Sequence, residues 1–249
     1  FKHDYGLSCH RANLFLPEVI TMDERSLIYD WNTIEYEFNR NPSNHPHGVW
    51  FDDETLRDGL QSPSARNPTI EQKIELLSYM EKLGIQKVDV GLPGAGPFHI
   101  EHIDSLINHI ISNDYQIRPG AAVRTLMNDI EPLVEMQNKH GIPIQASAFL
   151  GTSPIRQYTE GWTMEKLIST MEKAVSYAIE NDVQVMFVTE DTTRSKPEDV
   201  KAIYQRAMEL GVRRLCICDT CGHVTPNGVK KLLNFIDEEV IKDGGYKRS

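Results

Sequence analysis

The chain predicts an α/β fold in which parallel strands are covered by helices. Three observations carry this. From residue 48 onward, short apolar runs alternate with stretches whose apolar residues recur at i, i+3, i+4 and i+7. Strict alternation of this kind pairs successive strands in parallel. Polar residues gather after each apolar run while the helix-to-strand turns are plain, which points to a site at one end of the sheet. A barrel and an open doubly wound sheet both fit. The first apolar run is not followed by a Gly-rich phosphate turn, Gly59 standing alone. That removes the usual reason to prefer a dinucleotide-binding sheet.

Residues 1–47 stand apart. Leu14, Phe15, Leu16, Val19 and Ile20 are followed by Leu27, Ile28, Trp31 and Ile34 with no clean period. Asn39 to Pro46 is rich in Asn, Pro and Ser and reads as a linker. The expectation is an N-terminal extension over 1–47, packed on the main domain or on a partner subunit, then a catalytic domain over 48–249. Val49–Phe51 reads as a buried first strand, followed by a helix at roughly 69–83 with Ile70, Ile74, Leu77 and Leu83 on one face. Lys87–Val90 precedes a helix carrying Ile103, Leu106 and Ile110. Ala121–Val123 precedes one with Ile130, Leu133 and Val134, and Ile144–Leu150 precedes one with Leu167, Met171 and Val175. Val183–Val188 precedes Val200, Ile203 and Ala207, and Leu215–Cys218 precedes Val229, Leu232 and Ile236. Thr69 with Gln72, Thr163, and Thr225 before Pro226 mark helix starts, and Gly84, Gly141 and Gly211 mark ends. An eight-unit barrel takes ~250 residues, so residues 48–249 have room for roughly 6.5 units. Six are counted, and a barrel would lack its last two strands.

Composition narrows the function. The 249 residues are 40% hydrophobic, enough for a large core. A net charge of −10 argues against a general nucleic-acid or anionic-membrane surface. No apolar run approaches the ~20 residues of a membrane span, and no secretory pattern opens the chain. The first residue is Phe1, which suggests a processed or excised piece of a longer product. Three of the four cysteines crowd into 216–221, which does not look like a disulfide framework and favours a reducing, cytoplasmic setting.

The organising stretch is Asp53-Glu54-Thr55-Leu56-Arg57-Asp58-Gly59-Leu60-Gln61-Ser62-Pro63. It places a cation, an anion and a flexible backbone point at one strand tip, a combination that can hold a metal and steady a developing negative charge. Later tips carry Val88-Asp89-Val90-Gly91-Leu92-Pro93, Gly151-Thr152-Ser153-Pro154-Ile155, Thr189 to Ser195 with Glu190, and Asp219-Thr220 through Thr225-Pro226. Together these resemble, in order and over roughly 49–240, the isopropylmalate synthase and homocitrate synthase family. That family belongs to the metal-dependent TIM barrels that include hydroxymethylglutaryl-CoA lyase. The resemblance implies a (β/α)8 TIM-barrel type with about six of eight βα units present.

The resemblance also implies roles. Asp58 matches a metal-ligating aspartate, and Arg57 the arginine that stabilises charge on the 2-oxo oxygen. Gln61 lies near the reacting groups as a substrate-binding residue. Glu190 matches a site glutamate, and Thr220 a threonine that hydrogen-bonds the 2-oxo acid carboxylate. The implied reaction is a Claisen condensation of acetyl-CoA with a 2-oxo acid, followed by thioester hydrolysis. The implied cofactor is a divalent metal (Mg, Mn or Zn), and the implied assembly a homodimer when full length, with leucine biosynthesis the pathway. These residue types suit that chemistry, since a cation polarises the carbonyl and a guanidinium meets the alkoxide.

Three departures stand out. Asp89 replaces the family's usual strand-2 glutamate. Gly59-Leu60-Gln61 replaces Gly-Glu-Gln and is closer to the lyase branch. The family's His-x-His pair from strand 7 is not present before Ser249, so the resemblance implies an incomplete site. His45-Pro46-His47 lies before the first strand and reads as linker. Cys216 and Cys218 share one strand face with Cys221 past the tip, and read as small buried hydrophobes rather than a zinc site. Arg124 and Arg156 read equally as carboxylate or CoA-phosphate binders and as ordinary surface pairs. Asp219 reads as a loop-orienting residue, and His223 as a loop residue without a partner. A lyase running the reverse carbon–carbon chemistry, and an inactive truncated barrel acting as a binding partner, are the alternatives.

Overall fold

The computed structural model describes residues 23–33, 49–63 and 65–246. Six strands, β1 (Asp52–Asp53), β2 (Lys87–Asp89), β3 (Arg118–Arg124), β4 (Gln145–Gly151), β5 (Val185–Glu190) and β6 (Arg214–Ile217), form one sheet in chain order. Every neighbouring pair is parallel. An unbroken order 1 to 6 has no reversal point, so the sheet curls one way as a half-barrel and is not doubly wound. The helices are α1 (Ile70–Leu83), α2 (Pro97–Ser112), α3 (Met127–His140), α4 (Pro154–Glu160), α5 (Met164–Glu180), α6 (Pro197–Glu209) and α7 (Pro226–Phe235). The last continues as a π-helix over Ile236–Lys242.

Local chemistry explains the ends. The Thr69 hydroxyl accepts from Gln72 N while the Gln72 side chain accepts from Thr69 N, a closed capping box. Loss of such a cap costs about 1 kcal/mol. Gly84 and Gly141 end α1 and α3 in the left-handed conformation that a side chain resists.

Two expectations need correction. Val49, Trp50 and Phe51 are exposed, and the strand itself is Asp52–Asp53. β1 is an edge strand, and among the described residues no strand covers its far side, so three apolar residues there stay in the open. The second concerns the reading of one helix after each strand, since α4, a short helix, is inserted between β4 and α5. Pro154 at its first position and left-handed Gly161 after its last residue delimit it.

The strand faces alternate as a barrel demands. On β5, Val185, Phe187 and Thr189 are buried against helices, while Met186, Val188 and Glu190 are half-buried on the concave side. Residues 23–33 pack across the far end of the sheet. Trp31 is fully buried, donates from Nε1 to the Ser195 carbonyl at 3.0 Å, and lies 5.2 Å from the Phe235 ring. Asn32 accepts from Thr225 N at 2.7 Å and from its hydroxyl at 2.8 Å. His45, His47 and the apolar cluster at 14–20 lie outside the described residues. Among the described residues no helix is long and apolar enough to cross a membrane.

Candidate active site

The concave face of the sheet, at the ends where the strands stop, encloses a cavity of about 690 Å³. Arg57, Asp58, Gln61, Glu190 and Thr220 all line it. The structure thus brings together all five residues singled out in the sequence, from the tips of three strands.

Arg57 is its electrostatic centre. Its Nε donates to Asp89 Oδ2 at 3.1 Å, its Nη1 to Asp58 Oδ1 at 3.0 Å, and its Nη2 to Glu54. A fork held by three carboxylates has one orientation, which a lysine could not reproduce. Burial works against the guanidinium charge, but Asp89, Glu54 and Asp58 more than offset it and raise its pKa. Burial also raises Glu54 above the ordinary carboxylate range, with Arg57 pulling the other way. Asp89 is fully buried, and burial together with the nearby Glu54 pushes it up to about 7 against the pull of Arg57. Its other oxygen, Oδ1, accepts from Gly91 N at 3.0 Å. The shorter aspartate at this position thus holds the arginine in place.

That elevated value has a consequence for stability. The folded protein keeps a proton on Asp89 that the unfolded chain releases near its ordinary value of 3.8. Folding stability from this group is therefore fully present below pH about 4 and is lost as pH rises toward 7. Asp89→Asn is expected to flatten that decline. Urea unfolding from pH 4 to 8 checks it, and an unchanged slope would remove Asp89 from the account.

Asp58 differs from its neighbours. Its side chain is 65% exposed, and among the described residues Arg57 alone holds it, through one of its two oxygens. Glu190 stands on β5 with Arg156 Nη2 at 3.7 Å. Thr220 Oγ1 accepts from Asp191 N at 2.9 Å, which leaves its own proton free to donate into the cavity. Asp191 has a left-handed backbone, φ 61°, unusual for a residue with a side chain. Its carboxylate takes two 2.7 Å bonds from Arg194, and its carbonyl accepts from Ser195 Oγ at 3.0 Å. Asp219 accepts from Thr193 Oγ1 at 2.6 Å and from His223 N at 2.9 Å, so it orients the loop as expected. The tips of β5 and β6 are stitched into one unit.

Other residues fall elsewhere. Arg124 is bound in a fork to buried Asp129 and lines a separate pocket beside Arg156, not this cavity. His223, expected to lack a partner, lies 3.5 Å from Asp30. Leu60 lines a neighbouring crevice with Phe98 and His102, not the cavity. Sequence reasoning missed Glu54 and Ser147. Glu54 sits three residues before Arg57, and that spacing was a usable signal. Ser147 offers none, being one small residue in β4, yet its buried hydroxyl borders the cavity and has no hydrogen-bond partner among the described residues. Cys216 and Cys218 are half-buried and face the cavity, not the core.

A divalent metal needs several hard oxygen or nitrogen ligands. Among the described residues no group of three or more His, Cys, Asp or Glu is arranged to hold one. Glu54 and Asp89 are occupied by Arg57. That leaves Asp58 and Glu190 as the less engaged carboxylates of the cavity, and the described residues do not fit a complete metal site.

Comparison with known proteins agrees with this architecture. The model of the HMGL-like family matches residues 49–245. The 2-isopropylmalate synthase of Sediminispirochaeta smaragdinae is 27% identical over 207 residues, 82% of this chain and 40% of that protein. The homocitrate synthase of Methanocaldococcus jannaschii is 28% identical over 204 residues, 81% of this chain and 48% of that protein. The chain thus spans 40% and 48% of the length of these two curated relatives. The solved HMG-CoA lyase of Brucella melitensis superposes with a TM-score of 0.62 at 16% identity, covering 77% of this chain and 68% of that one. At that identity the likeness speaks for the fold, a partial (β/α)8 barrel.

Proposed function

The chain belongs to the HMGL-like family, and from that premise we propose that it serves an acyl-CoA:2-oxo acid Claisen condensation, as a 2-isopropylmalate synthase-like acyltransferase. The observation that carries this reading is the convergence of Arg57, Asp58, Gln61, Glu190 and Thr220 on one cavity. In this reading the carboxylate of the 2-oxo acid takes the free proton of Thr220, and its carbonyl turns toward Arg57. The carbon–carbon bond forms between the acetyl methyl carbon and the carbonyl carbon. The carbonyl oxygen keeps the electron pair as an alkoxide, which the guanidinium faces. Glu54 and Asp89 hold that guanidinium charged and aimed. Glu190 has only a distant arginine contact and is the carboxylate left to take the methyl proton. Water then cleaves the thioester and frees the coenzyme thiol. Acetyl-CoA and a divalent cation are part of this proposal, with Asp58 the residue assigned to hold the cation.

Free thiol release from acetyl-CoA over a panel of 2-oxo acids is the test. Release with at least one acid, dependent on that acid, is the expected result. Thiol with none, together with cleavage of a 3-hydroxyacyl-CoA to acetyl-CoA, would assign the lyase direction instead, the reading that Leu60 favours. Neither activity would leave a binding role.

A further inference from the structure

Two thiols in the cavity have no part in the chemistry proposed for it. Cys216 lies on β6 and Cys218 just past its end, both half-buried, with their sulfurs 3.8 Å apart. Residues i and i+2 of a strand project to the same side, so the strand itself brings them together. At ordinary strand rise their Cα atoms lie about 6.4–6.8 Å apart. That is the upper end of the span a disulfide bridges.

The backbone permits closure. Among the described residues β6 pairs only with β5, and the last pair in that ladder is Thr189 with Ile217. Cys218 N donates to Thr192 Oγ1 at 3.0 Å, and the Cys218 carbonyl accepts a long bond from Thr193 N at 3.4 Å. Cys218 lies beyond that last pair, so it can shift without breaking the pairing of β6 with β5. The thiols are also unequal. The hydrogen bond between them lowers the Cys216 pKa and raises that of Cys218, which burial raises further. Cys216 is then the attacking sulfur, since the thiolate is the reactive form.

We propose that Cys216 and Cys218 are a reversible redox dithiol, closed to an intrachain disulfide by a hydroperoxide or a small-molecule disulfide. With peroxide, the Cys216 thiolate takes one oxygen and becomes a sulfenic acid, and the other oxygen leaves as water. The Cys218 sulfur then displaces the sulfenic hydroxyl as a second water. The two thiols lose two electrons and two protons in all, and the peroxide gains them. A small disulfide instead yields two small thiols through a mixed disulfide. Asp219 and Thr220 follow Cys218 directly, so closure pulls on the hydrogen bonds that tie this tip to Thr192 and Asp191. The inference stands whether or not the proposed condensation is correct, because its readout is covalent.

The reduced protein is treated with hydrogen peroxide or glutathione disulfide, alkylated, digested with trypsin and weighed. The peptide 215–230 should appear about 2 Da lighter, with Cys221 alkylated and Cys216 and Cys218 unalkylated, and dithiothreitol should reverse this. Cys216→Ser and Cys218→Ser should each abolish the loss. Phenylarsine oxide, which needs two thiols within reach, should add once to the unmodified protein and block alkylation of the same two residues. That arm requires no variant, so a misfolded substitution does not spare the proposal. Full alkylation of both cysteines after oxidant, a bridge to Cys221 instead, or no arsenical adduct would each overturn it.

Discussion

Arg57→Ala is expected to lower turnover by about 10²–10³-fold, the usual cost of removing one donor aimed at developing charge. The side chain stands between three carboxylates and faces the cavity, and among the described residues no second cation is hydrogen-bonded to those carboxylates. The loss should fall on kcat, because the alkoxide charge is absent from the bound substrate and develops on the way to the transition state. Arg57→Lys should recover little of it, since an ammonium keeps the charge but cannot span Glu54, Asp58 and Asp89 together. Steady-state thiol release in the proposed condensation measures the effect, with circular dichroism confirming that the variant folds. The loss of Arg57 also leaves Asp89 buried without its cation, and that carboxyl should answer by holding its proton to higher pH. Turnover within about threefold of the parent would remove Arg57 from the reaction.

Trp31→Ala is expected to destabilise the fold by about 3–5 kcal/mol, the range for emptying a large buried aromatic site. Trp31 is fully buried although it precedes the first strand of the sheet. It packs between Tyr29, at 5.5 Å, and Phe235, at 5.2 Å. Its Nε1 holds the carbonyl of Ser195, whose hydroxyl bonds Thr152 at 2.8 Å in the neighbouring tip. Trp31→Phe should cost less, about 1–3 kcal/mol, because it keeps much of the packing and leaves one carbonyl unpaired. Urea unfolding of the two variants separates packing from the hydrogen bond. A loss below about 1 kcal/mol in Trp31→Ala would mean that the extension rests on the barrel without supporting it.

Much of the architecture was legible because it is written in local periods. The i, i+3, i+4 spacing of Ile70, Ile74 and Leu77 places a helix with no knowledge of its neighbour. Alternation placed Cys216 and Cys218 on one face, and the structure turns that face to the cavity. Where reading failed, the deciding neighbour was far away in the chain or absent. Val49–Phe51 has the composition of a buried strand and lies at an uncovered edge. The cysteines have the size of core residues, and cavity walls use the same residue types.

The candidate site divides in the same way. The sequence by itself determined the order of the βα units, their caps, and which polar residues sit at which strand tip. Each of those depends on residues a few positions apart. Only the tertiary structure decided that Arg57 is shared among Glu54, Asp58 and Asp89, and that burial lifts Asp89 to about 7. It alone showed that Trp31 closes the core from 164 positions before its partner Ser195. Desolvation and charge coupling depend on distance through space, and distance along the chain does not specify them.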